Sequence, residues 1–148
     1  MKQEELSFLF PNSQKEPFTE TSPATNSYNC IAWAANDNSK WYWPENHCYW
    51  PEGVEKKETI DSFIKMFSTF GYEICSDGLC EEGIEKIVIF SDENGKPTHA
   101  ARQIDENFWT SKLGREIDVS HTLNAMCNGD YGNPAVFMKR RKKQSKEY

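Results

Sequence analysis

Apolar side chains recur along this chain with two different periods. From Glu58 onward, Ile60, Phe63, Ile64, Phe67 and Phe70 follow one another at intervals of three and four, which draws a single apolar stripe along a helix. Thr59 supplies a cap ahead of that stripe, and Gly71 a left-handed stop behind it. The second half changes to strand character. Residues 86–90 (Lys-Ile-Val-Ile-Phe) form a buried strand, and a loop containing Asn94-Gly95 turns it into a second strand over 98–104. Asp105-Glu106-Asn107 then turns the chain into a third strand from Phe108 to Leu113. Residues 135–138 close the sheet as the last strand, and Ser120 is placed to cap a short helix running through Cys127. Alternation puts His99, Ala101 and Gln103 on one face of the second strand and Ala100, Arg102 and Ile104 on the other. If the hairpin is centred on residue 106, Ser111 lies diagonal to His99 on the same face.

A shorter helix precedes these elements. Asn26 or Ser27 is suited to cap it, with Ile31, Ala34 and Ala35 facing the core and Cys30 in the first turn. Residues 1–25, with Pro11, Pro17 and Pro23 among polar side chains, read as an irregular lead-in to a single α+β domain over 26–138. Residues 139–148 form a basic tail.

Composition narrows the reading. The chain has 148 residues, 37% of them hydrophobic, enough for one domain with a core of its own. The start lacks the apolar run of a secretory signal and nothing is long enough to span a membrane, so the expectation is a cytoplasmic protein, with specialised export as an effector left open. Net charge is −6, but the last ten residues hold six basic side chains and one acidic one. Residues 1–138 therefore carry 11 basic against 22 acidic side chains, net −11. An acidic body argues against nucleic acid as a partner, and the basic run reads as a solvated terminus. The five cysteines are an odd number and imply no disulfide framework. Cys75 and Cys80 lie outside the tight spacing of a zinc knuckle, and no metal or other cofactor is expected.

The chemistry centres on Cys30. A thiol in the first turn of a helix faces unpaired backbone N–H groups, which favour the thiolate. His99 is the best-placed base. Ser111, by strand pairing, and Asp118, by chemical preference, are candidates to orient it, with Gln103 less favoured. The Cys30 N–H and the amide of Asn26 or Asn29 are the candidate oxyanion donors. His121, near a helix start and close to Asp118, is a competing base. Five of the ten residues 41–50 are aromatic; they either cover a small core or wall a cleft, with Trp41, Trp43, Trp50 and Trp109 as substrate contacts. Two functions follow. One is a thiol hydrolase acting on an amide bond of a peptide or protein. The other is a non-enzymatic module binding a peptide or glycan through residues 41–51.

A cysteine at a helix start, then a histidine on a strand, then a polar residue on the next strand, is similar to the order in papain-like and NlpC/P60-like cysteine peptidases. Residues 109–114, Trp-Thr-Ser-Lys-Leu-Gly, resemble the papain segment that bears an orienting Asn, with Ser111 where Asn is expected. The resemblance implies a papain-like fold, in which the cysteine-bearing helix packs on a small antiparallel sheet. The transglutaminase-like order of His-Ala, Trp and Asp fits as far as Trp109 and then fails for want of the Asp. Four segments together resemble an uncharacterised bacterial domain family over residues 28–138. They are Asn29-Cys30-Ile31-Ala32-Trp33-Ala34, the Trp-Tyr-Trp-Pro and Tyr-Trp-Pro loop, Thr98-His99-Ala100-Ala101-Arg102-Gln103, and the stretch from Trp109 to Gly114 with trailing Asp118 and His121.

Overall fold

A computed structural model describes residues 1–143. Its centre is a seven-stranded sheet, antiparallel throughout. The strands are β1 (Thr19–Ser22), β2 (Glu73–Cys75), β3 (Ile84–Ser91), β4 (Pro97–Gln103), β5 (Trp109–Lys112), β6 (Asp118–His121) and β7 (Asn133–Arg141). They lie in the order β1-β6-β5-β4-β3-β7-β2. The helices are α1 (Gln3–Leu9), α2 (Cys30–Ala34), α3 (Ile60–Ser68) and α4 (Leu123–Met126), with a 3₁₀ turn at Pro11–Gln14.

The apolar stripe over 60–70 becomes α3 as the spacing requires. Thr59 Oγ1 accepts from the Ser62 N–H at its start, and Gly71 takes φ 91° beyond its end. Phe63, Met66 and Phe67 are fully buried, each contributing about 1.5–3 kcal/mol by leaving water. They pack with α2 and with Ile87, Ile89 and Ala100 on one face of the sheet. The opposite face carries Val88, Phe90, Ala101, Trp109 and Val119. It is covered by Leu6 and Phe10 from the N-terminal segment and by Ala125 and Met126 of α4. Two apolar layers thus sandwich one sheet.

Three expectations need correction. The lead-in is not irregular: it holds α1, the 3₁₀ turn and β1, which pairs with β6 and closes that edge. No helix starts at Ser120. Asp118 to His121 form β6, because the turn after Leu113 returns the chain as a hairpin partner of β5, and Thr122 caps α4 instead. The basic run does not begin outside the domain, since β7 reaches Arg141 between β3 and β2. There Arg140 bonds Glu85, donates to the Phe70 carbonyl at 2.8 Å and lies over the Tyr72 ring. The expectation for residues 144–148 lies outside the described residues.

The β4–β5 register pairs Arg102 with Thr110, which centres the hairpin on residue 106 as the pattern predicts. Among the described residues no helix is long and apolar enough to cross a membrane.

Candidate functional site

Cys30 is the first residue of α2. Its cap is Asn29, not Asn26 or Ser27: Asn29 Oδ1 accepts from the Ala32 N–H at 3.2 Å and from the Tyr42 N–H at 3.1 Å. The Asn29 amide donates to the Tyr42 carbonyl at 2.8 Å, so its donor is spent on the fold rather than presented to an oxyanion. Asn26 is exposed, and its carbonyl accepts from Trp41 Nε1. Cys30 as a residue is 7% exposed. Burial pushes its thiol up to about 11, against the opposing pull of the Ala100, Ile31 and Cys30 N–H groups and of the Lys112 ammonium.

His99 is fully buried. Its ring stacks on Tyr131 at 4.1 Å with an interplanar angle of 2°, and meets Phe90 edge-on at 5.6 Å. His99 Nε2 lies 2.9 Å from Ser111 Oγ, and the same oxygen lies 2.7 Å from His121 Nε2. His121 Nδ1 lies 2.8 Å from the Thr122 carbonyl. Burial lowers His99 well below the ordinary imidazole value and lowers His121 to about 4, so both rings are neutral at pH 7. Among the described residues, His99 Nδ1 has no hydrogen-bond partner.

The thiol and this histidine pair lie on opposite faces of β4. The β4–β5 ladder ends at Arg102 and Thr110, and Cys30 shares an apolar cluster with Ala100 beyond it. Cys30 and His99 make no hydrogen bond to each other. The imidazole pairs across the sheet with Phe90, while Cys30 packs beside Ala100 on the α2 face. The sulfur thus lies on the α2 face near the residue that follows the base, with the imidazole ring on the other side of the strand.

Asp118 is not brought to His99. It pairs with Lys112 across β5 and β6, where its Oδ2 accepts from the Tyr28 hydroxyl at 2.5 Å while its Oδ1 has no partner among the described residues. Lys112, fully buried, donates to the carbonyls of Thr25 at 3.0 Å, Gly114 at 2.8 Å and Glu116, and lies over the Tyr28 ring at 5.3 Å. Together these contacts strap the segment leading into Cys30 onto the sheet. Gln103 donates to the Gly78 carbonyl and takes no part.

The aromatic loop divides. Trp50 is buried against Phe63 with its Nε1 donating to the Glu55 carbonyl, and Trp43 meets the Phe63 ring edge-on. Trp109 is buried beside Phe137 on the opposite face of the sheet. Those three rings are core. Trp41 is not: with Ser27, Tyr49 and Arg115 it lines a cleft of about 490 Å³ beside the segment that enters α2. The Arg115 guanidinium lies over the Trp41 ring at 5.4 Å, and Lys40 over Tyr49 at 4.5 Å.

Sequence reasoning placed Ser111 correctly beside His99 and read His121 as a rival base. It did not find Tyr28, Lys112 or Tyr131. The alternation of Asp118, Val119, Ser120 and His121 across the Gly114 turn carries the missing signal, since it puts His121 diagonal to Ser111 on one face.

The fold is thus a mixed α+β arrangement around an antiparallel sheet, with a buried thiol on one face and a buried histidine–serine–histidine chain on the other. The profile of a family described as a domain of unknown function, DUF7689, matches residues 19–139, and the chain belongs to that family. No curated protein and no solved structure matches it.

Proposed function

We propose that the protein is a thiol hydrolase with a papain-like constellation, attacking an amide carbonyl through Cys30 with His99 as base and then acid. The observation that carries this reading is the free Nδ1 of His99. A fully buried imidazole with one nitrogen anchored on Ser111 and the other unpartnered keeps a lone pair free to take a proton, one residue along β4 from the alanine that packs with Cys30 but on the opposite face of that strand. In the resting state both groups are neutral and covered, so seating a substrate must bring the imidazole to the sulfur. The proton then passes from Sγ to Nδ1, the thiolate adds to the carbonyl, and the imidazolium returns the proton to the leaving amine. Water hydrolyses the thioester. The Cys30 and Ile31 N–H groups are the oxyanion donors at hand. The cleft beside Ser27 and Trp41 is the route by which a peptide approaches.

The test is covalent capture by a set of peptide-derived Michael acceptors, read by peptide mass spectrometry. The expected result is an adduct on Cys30 that is lost in His99→Ala; no adduct, or one indifferent to that substitution, overturns the reading.

The second reading, a peptide- or glycan-binding module, is favoured by one observation. The cleft at Trp41 is open, while Cys30 is sealed. Ligand binding that survives Cys30→Ala and is lost in Trp41→Ala would support it.

A further inference from the structure

Hydrogen-bond polarity in the buried chain is set from one end. A backbone carbonyl only accepts, so the 2.8 Å contact to Thr122 requires the proton of His121 on Nδ1. That carbonyl is itself held in place. Thr122 Oγ1 accepts from the Ala125 N–H as the cap of α4 and donates to Glu16 at 2.7 Å, while Asn124 bonds the other oxygen of the same carboxylate. With Nδ1 protonated in a neutral ring, His121 Nε2 is a bare acceptor and Ser111 Oγ donates to it at 2.7 Å. The serine has only one proton. Its other neighbour, the Met126 sulfur at 3.8 Å, is a weaker acceptor and competes poorly. Ser111 therefore accepts at its contact with His99, and the 2.9 Å bond is donated by His99 Nε2–H. The remaining nitrogen of His99, Nδ1, carries the lone pair.

We infer that His121 is a positioning residue for His99. Acting through Ser111, it forces the tautomer whose Nδ1 is free, in the place where a carboxylate or amide would orient the base directly. As a role in catalysis this rests on the thiol-hydrolase reading; as a statement about the two imidazoles it does not. The arrangement accounts for a third position filled by serine. A hydroxyl alone can donate or accept and so cannot choose a tautomer, but a hydroxyl whose proton is claimed by a second, carbonyl-anchored imidazole can only accept.

The experiment is long-range proton–nitrogen correlation NMR on the full chain with nitrogen-labelled histidine, at neutral pH, with His47→Ala used to remove the third imidazole from the spectrum. The expected result is two buried rings in opposite tautomers, His99 protonated on Nε2 and His121 on Nδ1. Ser111→Ala and His121→Ala should each shift His99 toward the other tautomer, and His121→Gln, whose side-chain oxygen can accept from Ser111, should shift it back. A wild-type His99 protonated on Nδ1 overturns the inference, even if no variant folds. So does a His99 spectrum that neither Ser111→Ala nor His121→Ala moves. Opposite tautomers in a protein whose Cys30 captures no electrophile would remove the hydrolase reading and leave the relay standing.

Discussion

Tyr28 donates its hydroxyl proton to Asp118, tying the chain two residues ahead of Cys30 to a strand near the far edge of the sheet. The bond matters because both groups are buried and the other carboxylate oxygen has no partner among the described residues. Tyr28→Phe should therefore cost about 1–3 kcal/mol, the penalty for leaving a buried acceptor unmet, and should loosen the strap over α2. Denaturant melts give the first quantity. Faster iodoacetamide labelling of Cys30 in the variant reports the second, and unchanged labelling would show that Tyr28 does not govern access.

Acid should destabilise the fold through its histidines before its shifted carboxylates. His121 is lowered from 6.5 to about 4 and His99 in the same direction, both chiefly by burial, so the unfolded chain takes up their protons first. A group depressed in the native state contributes stability above its unfolded value and loses it as the pH falls toward the folded value. For His121 that window runs from pH 6.5 down to about 4, and its share of the loss amounts to about 3 kcal/mol at the acid end. The carboxylates that the fold holds low, such as Glu16, start from 4.5 and enter later. Melting temperature measured across this range should fall more steeply in the wild type than in His121→Gln.

Asn29 separates two duties that one substitution each can isolate. Asn29→Ala loses the α2 cap and both bonds to Tyr42, and should cost roughly 2 kcal/mol. Asn29→Asp keeps an acceptor for the Ala32 N–H but sets a carboxylate against the Tyr42 carbonyl. Equal stability of the Asp variant and the wild type, by thermal melting, would contradict the role assigned to the amide.

Gly132 directly follows Tyr131, whose ring stacks on His99. It takes φ 81°, and a Cβ there would sit 2.0 Å from the Ser91 carbonyl oxygen, a backbone atom without a flexible side chain's freedom to move. Gly132→Ala should destabilise by roughly 2–3 kcal/mol and shift the imidazole resonances of His99. A stable variant with unmoved resonances would mean the stack tolerates displacement.

Local patterns were legible in the sequence where a short-range signal determined them. The α3 stripe, the caps at Thr59 and Gly71, and the 106-centred hairpin each depend on residues close in the chain, and Ser111 beside His99 followed from that hairpin. Partners distant in sequence were not legible. Tyr28 with Asp118, and Tyr131 with His99, become neighbours only once strand order is known, and periodicity does not encode strand order. The aromatic loop misled for a related reason. Trp43 and Trp50 resemble cleft walls in composition, but α3 offers Phe63 as a partner and the core claims them. Lys86 and Lys112 are counted as surface residues by any hydropathy scale. Their ammonium groups are buried because Asp77 and Glu81 answer the first and three carbonyls the second.

The last strand among the described residues is an interior one. Because β7 lies between β3 and β2, a chain still attached to its ribosome short of residue 133 presents β3 with an open, apolar edge. Tyr131 arrives at a similar stage, so the imidazole of His99 stays uncovered until the chain has grown past β6 and α4. A product truncated before residue 131 therefore lacks both the strand that covers the β3 edge and the ring that stacks on the base.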